Sequence, residues 1–233
     1  MCGLVGFLGG IASQDKTVDE ALLKRMTNSI IYRGPDDSGS WVDLEKRVGL
    51  GHRRLSILDL SLEGHQPMQS LSSRYVIAFN GEIYNHLDLR KEIDLCQVPA
   101  ADKNSSTEWR GHSDTESLLA GFDAWGIKGT VDRARGMFAF AVWDRKKETL
   151  TLARDRVGEK PLYYGWQGRG NDAVFLFGSE LKALRVHPAF ENNISRGSIC
   201  LLLRHNCIPA PYSIYEGIHK LLPGSLLSLS LRD

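Results

Sequence analysis

A cysteine in second place, followed by an apolar run spaced by glycines, constrains this chain more than any other feature. Residues Met1-Cys2-Gly3-Leu4-Val5-Gly6-Phe7 continue into Leu8-Gly9-Gly10. A short continuous apolar run reads as a buried strand, and its glycines admit close approach of neighbouring backbone. Such a strand pins whatever precedes it inside the fold. What precedes it is Cys2, which becomes the first residue once an initiator methionine is cut off. It would then carry a free α-amine beside its thiol. That amine has a reference pKa of about 7.7 to 8.0, against about 10.4 for lysine, so it can be a neutral base near pH 7. A thiol is a strong nucleophile as thiolate, so one residue could supply both nucleophile and base. On this stretch alone, a cysteine placed there by accident of the start site stays an open reading.

At 233 residues the chain is below the size at which single cores usually split, and one domain is expected. A hydrophobic fraction of 42% with 24% charged residues is ordinary for a globular protein. The net charge of +1, without a long basic run, leaves no electrostatic footprint for nucleic acid or an anionic membrane, and neither partner is expected. No stretch approaches the roughly 18 apolar residues of a membrane span, and the start lacks the pattern of a signal peptide, which points to a cytoplasmic location. The four cysteines, Cys2, Cys96, Cys200 and Cys207, contain no C-x-x-C pair. A disulfide framework is not expected in a reducing compartment, and Cys200-His205-Cys207 fits zinc spacing poorly, so no metal is expected either.

Along the chain, Thr17-Val18-Asp19-Glu20 reads as a capping box, and Val18, Leu22, Met26 and Ile30 follow at four-residue steps. The pattern predicts an amphipathic helix over 18–31 that ends before the turn cluster Arg33-Gly34-Pro35-Asp36. Apolar runs predict strands at 39–42, 48–52, 75–79, 137–143, 150–154, 162–165 and 174–178. Ser113-Asp114-Thr115-Glu116 is a second capping box, opening a helix that stops at Gly126, and a shorter helix covers 86–93. Strands grouped around a block of helices favour antiparallel sheets over a doubly wound parallel sheet. The polar stretch 96–109 reads as an inserted surface loop. From Ser195 the pattern changes to a helix through Leu203, proline turns and a last apolar run at 226–231. We expect 2–194 to form the domain and 195–233 to be its C-terminal segment, leading toward a further domain in a longer parent.

Five motifs then occur in a telling order: Tyr32-Arg33-Gly34-Pro35-Asp36, His52-Arg53-Arg54-Leu55-Ser56-Ile57-Leu58-Asp59, Phe79-Asn80-Gly81-Glu82-Ile83-Tyr84-Asn85, His112-Ser113-Asp114-Thr115-Glu116 and Arg135-Gly136-Met137-Phe138-Ala139-Phe140. With the Cys2 terminus, they resemble the class II glutamine amidotransferase domain of bacterial glutamine-hydrolysing asparagine synthetases. The resemblance runs from Cys2 to Asp233 and is specific, because separate motifs agree. It implies an α+β fold, the four-layer αββα arrangement of N-terminal-nucleophile hydrolases, with two packed antiparallel sheets flanked by helices. It also implies that Cys2 attacks the side-chain amide of glutamine, with its own amine relaying the proton to the leaving ammonia.

Asn80-Gly81 offers a side-chain amide beside an unhindered backbone N–H, as an oxyanion hole requires; the same dipeptide at a strand end is also the strongest hairpin signal. The family pattern favours the oxyanion role. Glutamine presents a carboxylate and an ammonium, and Arg54 and Asp114 fit those two charges; the alternatives are a surface salt bridge for Arg54 and simple helix N-terminal charge for Asp114. The resemblance places the backbone of Arg54, Leu55, Ser56, Ile57 and Leu58, together with Asn80, Gly81, Glu82 and Asp114, around glutamine. Arg33 and Asp36 are expected to brace the pocket as a buried ion pair, or to serve only the turn.

The sequence holds no Ser-Gly-Gly pyrophosphate loop and no G-x-x-x-x-G-K-[ST]. No cofactor is therefore expected in this chain, with ATP and Mg belonging to the missing synthetase domain. Three function classes stay in view: the glutaminase half of an asparagine synthetase, the same half serving a sugar or phosphoribosyl acceptor, and a catalytically silent regulatory module. The resemblance leaves room for a homodimer.

Overall fold

The computed structural model describes residues 1–10, 16–57, 61–97, 109–170 and 173–230. In chain order the elements are β1 (Gly3–Gly9), α1 (Lys16–Asn28), β2 (Asp37–Asp43), β3 (Val48–Arg54), β4 (Met68–Gln69), β5 (Tyr75–Ile83), α2 (His86–Gln97) and α3 (Asp114–Arg133). They continue with β6 (Gly136–Asp144), β7 (Thr149–Arg154), β8 (Tyr163–Gln167), β9 (Val174–Gly178), α4 (Leu181–Leu184), α5 (Arg196–His205), β10 (His219–Lys220) and β11 (Leu226–Ser230). One sheet has the order β10-β8-β9-β1-β3-β2 and the other β11-β7-β6-β5-β4, and the pairings are antiparallel throughout.

Period-two patterning of the strands explains why these sheets stack in four layers. Along β1, Leu4 and Leu8 point one way into a core shared with Val76, Ala78 and Trp143 of the other sheet. Val5 and Phe7 point the other way, onto Leu23, Met26 and Ile30 of the α1 segment. Along β5 the neighbours Ile77 and Phe79 face Leu89 of α2 and Leu118 and Phe122 of α3. Each inner strand is thus buried on both faces, which continuous apolar runs require and a half-exposed sheet would not. The result is the αββα arrangement expected from the resemblance.

Several expectations need correcting. α1 spans Lys16–Asn28, two residues earlier than the expected start, and Val18 is exposed. The buried stripe is Leu23, Met26 and Ile30, at the three- and four-residue steps of one helical face. Ser113 does cap α3, its Oγ accepting from Thr115 N at 3.2 Å. Glu116 does not close the box, because its carboxylate is drawn to Arg110 N, Gly111 N and the Arg90 guanidinium. At Gly126 the α3 helix breaks at φ 74, ψ 169 but resumes to Arg133. Glycine tolerates that angle, and Ile127 and Val131 beyond it still find core to pack on. β5 runs on to Ile83, so Asn80-Gly81 lies inside a strand and forms neither a strand end nor a hairpin turn. The short β4 and β10 carry too few residues to show a period, and the sequence reading missed both. Most of the loop expected at 96–109 lies outside the described residues. Residues after 195 supply β10 to the edge of one sheet and β11 to the edge of the other.

Candidate active site

The free edge of β5 organises the site. β4 covers this edge only as far as Ile77. In an antiparallel strand the N–H and C=O of alternate residues point to the same edge, so Phe79, Gly81 and Ile83 present their groups where a partner strand is lacking. Side chains take over. Phe79 N donates to Gln66 Oε1 at 2.7 Å, Phe79 O meets His52 Nε2 at 2.8 Å, and Ile83 N donates to Asp114 Oδ2 at 2.8 Å. By the same alternation the N–H of Gly81 points to this edge, where a cavity of about 140 Å³ opens. Gly81 can be nothing larger, since a β-carbon would collide with Met137 O and the backbone of Phe138 on β6.

Cys2 reaches the same cavity from the start of β1, a central strand held by β3 on one side and β9 on the other. Its thiol lies against the backbone of Leu55, whose N–H donates to Sγ at 3.3 Å. Arg33 Nε donates to Cys2 O at 2.9 Å and so fixes the terminus from behind. Asn80 is 1% exposed, lines the cavity, and its Nδ2 has no hydrogen-bond partner. A buried amide left without a partner costs about 1–3 kcal/mol, and this one belongs to a residue that lines the cavity beside Gly81, where an acceptor from outside would satisfy it.

The two expected charges lie in the same wall. Arg54 is buried, and its Nη1 donates to Ser61 O at 2.8 Å. The guanidinium lies over Gly64, where a β-carbon would collide with Nη2. Asp114 opens α3 and is 5% exposed. Burial pushes its carboxyl up to about 6, the N–H groups of Ile83 and Thr115 oppose this, and the neighbouring Glu82 adds to the rise. Burial likewise pushes His52 down to about 4, so its ring is neutral at pH 7 and Nε2 carries the proton donated to Phe79 O.

Of the residues expected around glutamine, the cavity brings together Cys2, Arg54, Leu55, Ile57, Asn80, Gly81, Glu82 and Asp114. Ser56 does not line it; its N–H donates to Asp36 Oδ2 at 2.8 Å. Leu58 lies outside the described residues. The expected Arg33-Asp36 ion pair does not form. Arg33 Nη1 pairs with Glu180 at 3.0 Å because Cys2 O draws the guanidinium toward β1 and β9, while Asp36 is exposed and committed to Ser56. Gln66, Thr115, Met137 and Lys160 also line the cavity and were missed. Gln66 joins both halves of the site, accepting from Phe79 and donating through Nε2 to Thr115 Oγ1 at 3.2 Å. No local pattern marks a glutamine in a loop for that task.

Among known proteins, asparagine synthetase (glutamine-hydrolyzing) 3 of Bacillus subtilis is 37% identical over 241 residues, covering 99% of this chain and 35% of that protein. The chain spans less than half the length of the curated relatives it matches. A solved structure described as the allosteric regulatory enzyme of purine biosynthesis superposes with a TM-score of 0.69 at 18% identity, covering 99% of this chain and 47% of that one. The glutamine phosphoribosylpyrophosphate amidotransferase of B. subtilis, solved with ADP and GMP, gives 0.60 at 20% identity over 79% of this chain and 43% of its own. At such identities these two share the fold, the N-terminal-nucleophile hydrolase architecture. The family profile for the glutamine amidotransferase domain matches residues 1–233, and the chain belongs to that family.

Proposed function

We propose that this chain is the glutamine-hydrolysing half of a glutamine-dependent asparagine synthetase, with Cys2 as nucleophile. Once Met1 is removed, Cys2 Sγ attacks the side-chain carbonyl carbon of glutamine and its thiol proton passes to the α-amine. The carbonyl oxygen becomes an oxyanion, held by Asn80 Nδ2 and Gly81 N–H. As it collapses, the amine returns the proton to the leaving nitrogen, releasing ammonia and leaving a γ-glutamyl thioester. Water, deprotonated by the same amine, then releases glutamate. Arg54 meets the substrate carboxylate, and Asp114 with Glu82 meets its ammonium. Aspartate is the acceptor we assign to the ammonia, with the ATP-dependent step in a synthetase domain of a longer parent; the names and lengths of the relatives support this. A cytosolic setting, which keeps thiols reduced, goes with a nucleophilic Cys2.

The observation that carries the reading is the unpartnered, buried Nδ2 of Asn80 in the cavity that also holds the Cys2 thiol. Glutamate release by the untagged chain, without ATP, tests it. Cys2→Ala should lower that rate by at least about 10,000-fold, as loss of a covalent nucleophile does, and an electrophilic glutamine analogue should label one site. An adduct found by mass spectrometry on Cys200 or Cys207, both exposed, would refute the assignment.

A further inference from the structure

The segment after β7 places a lysine in the cavity for which the mechanism has no use. Asp155 anchors that segment. Its carboxylate accepts from the N–H groups of Val157, Gly158 and Glu159 at 3.0, 2.6 and 3.0 Å, from Lys160 at 3.1 Å and from Phe138 of β6 at 3.2 Å. Arg154 Nε donates to Lys160 O at 2.8 Å. The Lys160 backbone is therefore held on both sides. Lys160 is 6% exposed and lines the cavity with Cys2, and its Nζ donates to Met1 Sδ at 3.6 Å. No carboxylate of the described residues pairs with that Nζ.

Burying a cation without an anion costs free energy, so an unpaired ammonium at such a place calls for a role that its charge performs. Sδ is joined to Cys2 N by five bonds, so Nζ lies within about 10 Å of the nitrogen that becomes the terminal amine. We propose that Lys160 is a positioning charge that keeps the terminal amine of Cys2 in its free-base form once Met1 is gone. The inference rests on the reading of Cys2 given above. A like charge at this range disfavours protonation of the amine, and at the effective dielectric of a protein site the effect is about half to one pH unit. Other charges face the terminus. Arg33 donates to Cys2 O but is paired with Glu180; Arg54 lies in the cavity wall, and Glu82 and Asp114 stand where the substrate ammonium would neutralise them. Lys160 differs in lining the cavity beside Cys2 with no carboxylate of the described residues paired to its Nζ.

The test is the pH profile of kcat/KM for glutamine hydrolysis by the full chain, with loss of Met1 verified by intact mass. Lys160→Met should move the acid limb upward by about half to one pH unit, lowering the rate at pH 7 by about 2- to 8-fold while leaving the alkaline plateau near wild type. Lys160→Arg should keep the wild-type limb, and Lys160→Gln serves if the methionine variant does not fold. An unmoved limb in a folded neutral variant overturns the proposal. So does a pH-independent rise in KM, which would assign Lys160 to the substrate carboxylate instead. Failure of the underlying reading looks different, because then Cys2→Ala itself stays active.

Discussion

Two buried aspartates show how the molecule separates structure from function. Asp155 and Asp114 are 2% and 5% exposed, and each sits where a chain segment turns toward the cavity. Burial alone would raise both. Around Asp155 the N–H groups of Glu159, Lys160, Gly158 and Val157 outweigh burial and hold the carboxyl below its ordinary value. Around Asp114 the opposing donors are fewer, Glu82 adds its own charge, and the carboxyl rises to about 6. The protein satisfies the first carboxylate more fully than the second, which under the proposed function the substrate ammonium completes. A satisfied buried charge stabilises a fold, whereas an under-satisfied one costs stability and gains a use only when a ligand arrives.

The contrast breaks most severely at Asp155. Asp155→Ala leaves a ring of N–H groups without an acceptor and should cost about 4 kcal/mol, a large share of the 5–15 kcal/mol typical of a domain, read as a fall in the denaturant midpoint. Because its folded pKa is depressed, the contribution is present above the unfolded value near 3.8 and is lost as pH falls through the lower folded value. A variant that unfolds no earlier than wild type at pH 7 would dissolve the distinction.

Asp114→Asn should do the reverse. It removes an ion whose folded pKa is raised, so wild-type stability declines as pH climbs from about 3.8 to about 6, and the asparagine avoids that loss. We expect a gain of about 1–3 kcal/mol at pH 7.5 in thermal unfolding, together with a fall in kcat/KM of about 30-fold or more. Loss of activity without the gain in stability would make Asp114 a structural residue like Asp155.

A smaller effect sharpens the comparison without altering Asp114. Glutamine binding to the Cys2→Ala chain, followed by calorimetry, should weaken about tenfold between pH 7 and pH 5, as the carboxyl protonates and ceases to attract an ammonium. Affinity flat across that range would remove Asp114 from the substrate clamp.

Much of the layered fold was legible because burial on both faces leaves an imprint on every strand. The runs at β1, β5, β6 and β9 read as continuous apolar segments, and Ser113 announced α3 by its hydroxyl. Misreadings fell where tertiary contacts override local signals. Asn80-Gly81 carries strong turn chemistry, yet β6 pairs through both residues and keeps the strand extended. Arg33 was assigned to Asp36, three residues away; the fold offers it Cys2 O and Glu180, the latter far along the chain.

The sequence by itself determined the place of Cys2 at the head of a buried strand, the layers, and the residue types proposed to meet an amino acid zwitterion. These are local matters, set by period and by order along the chain. Only the tertiary structure decided which polar groups are already satisfied. Gln66 and His52 close the Phe79 peptide, the Asp155 carboxylate is saturated, and the Asn80 amide nitrogen, on a residue that lines the cavity, is left without a partner. Satisfaction of a buried group depends on partners brought from distant segments. No spacing rule in one sequence encodes it.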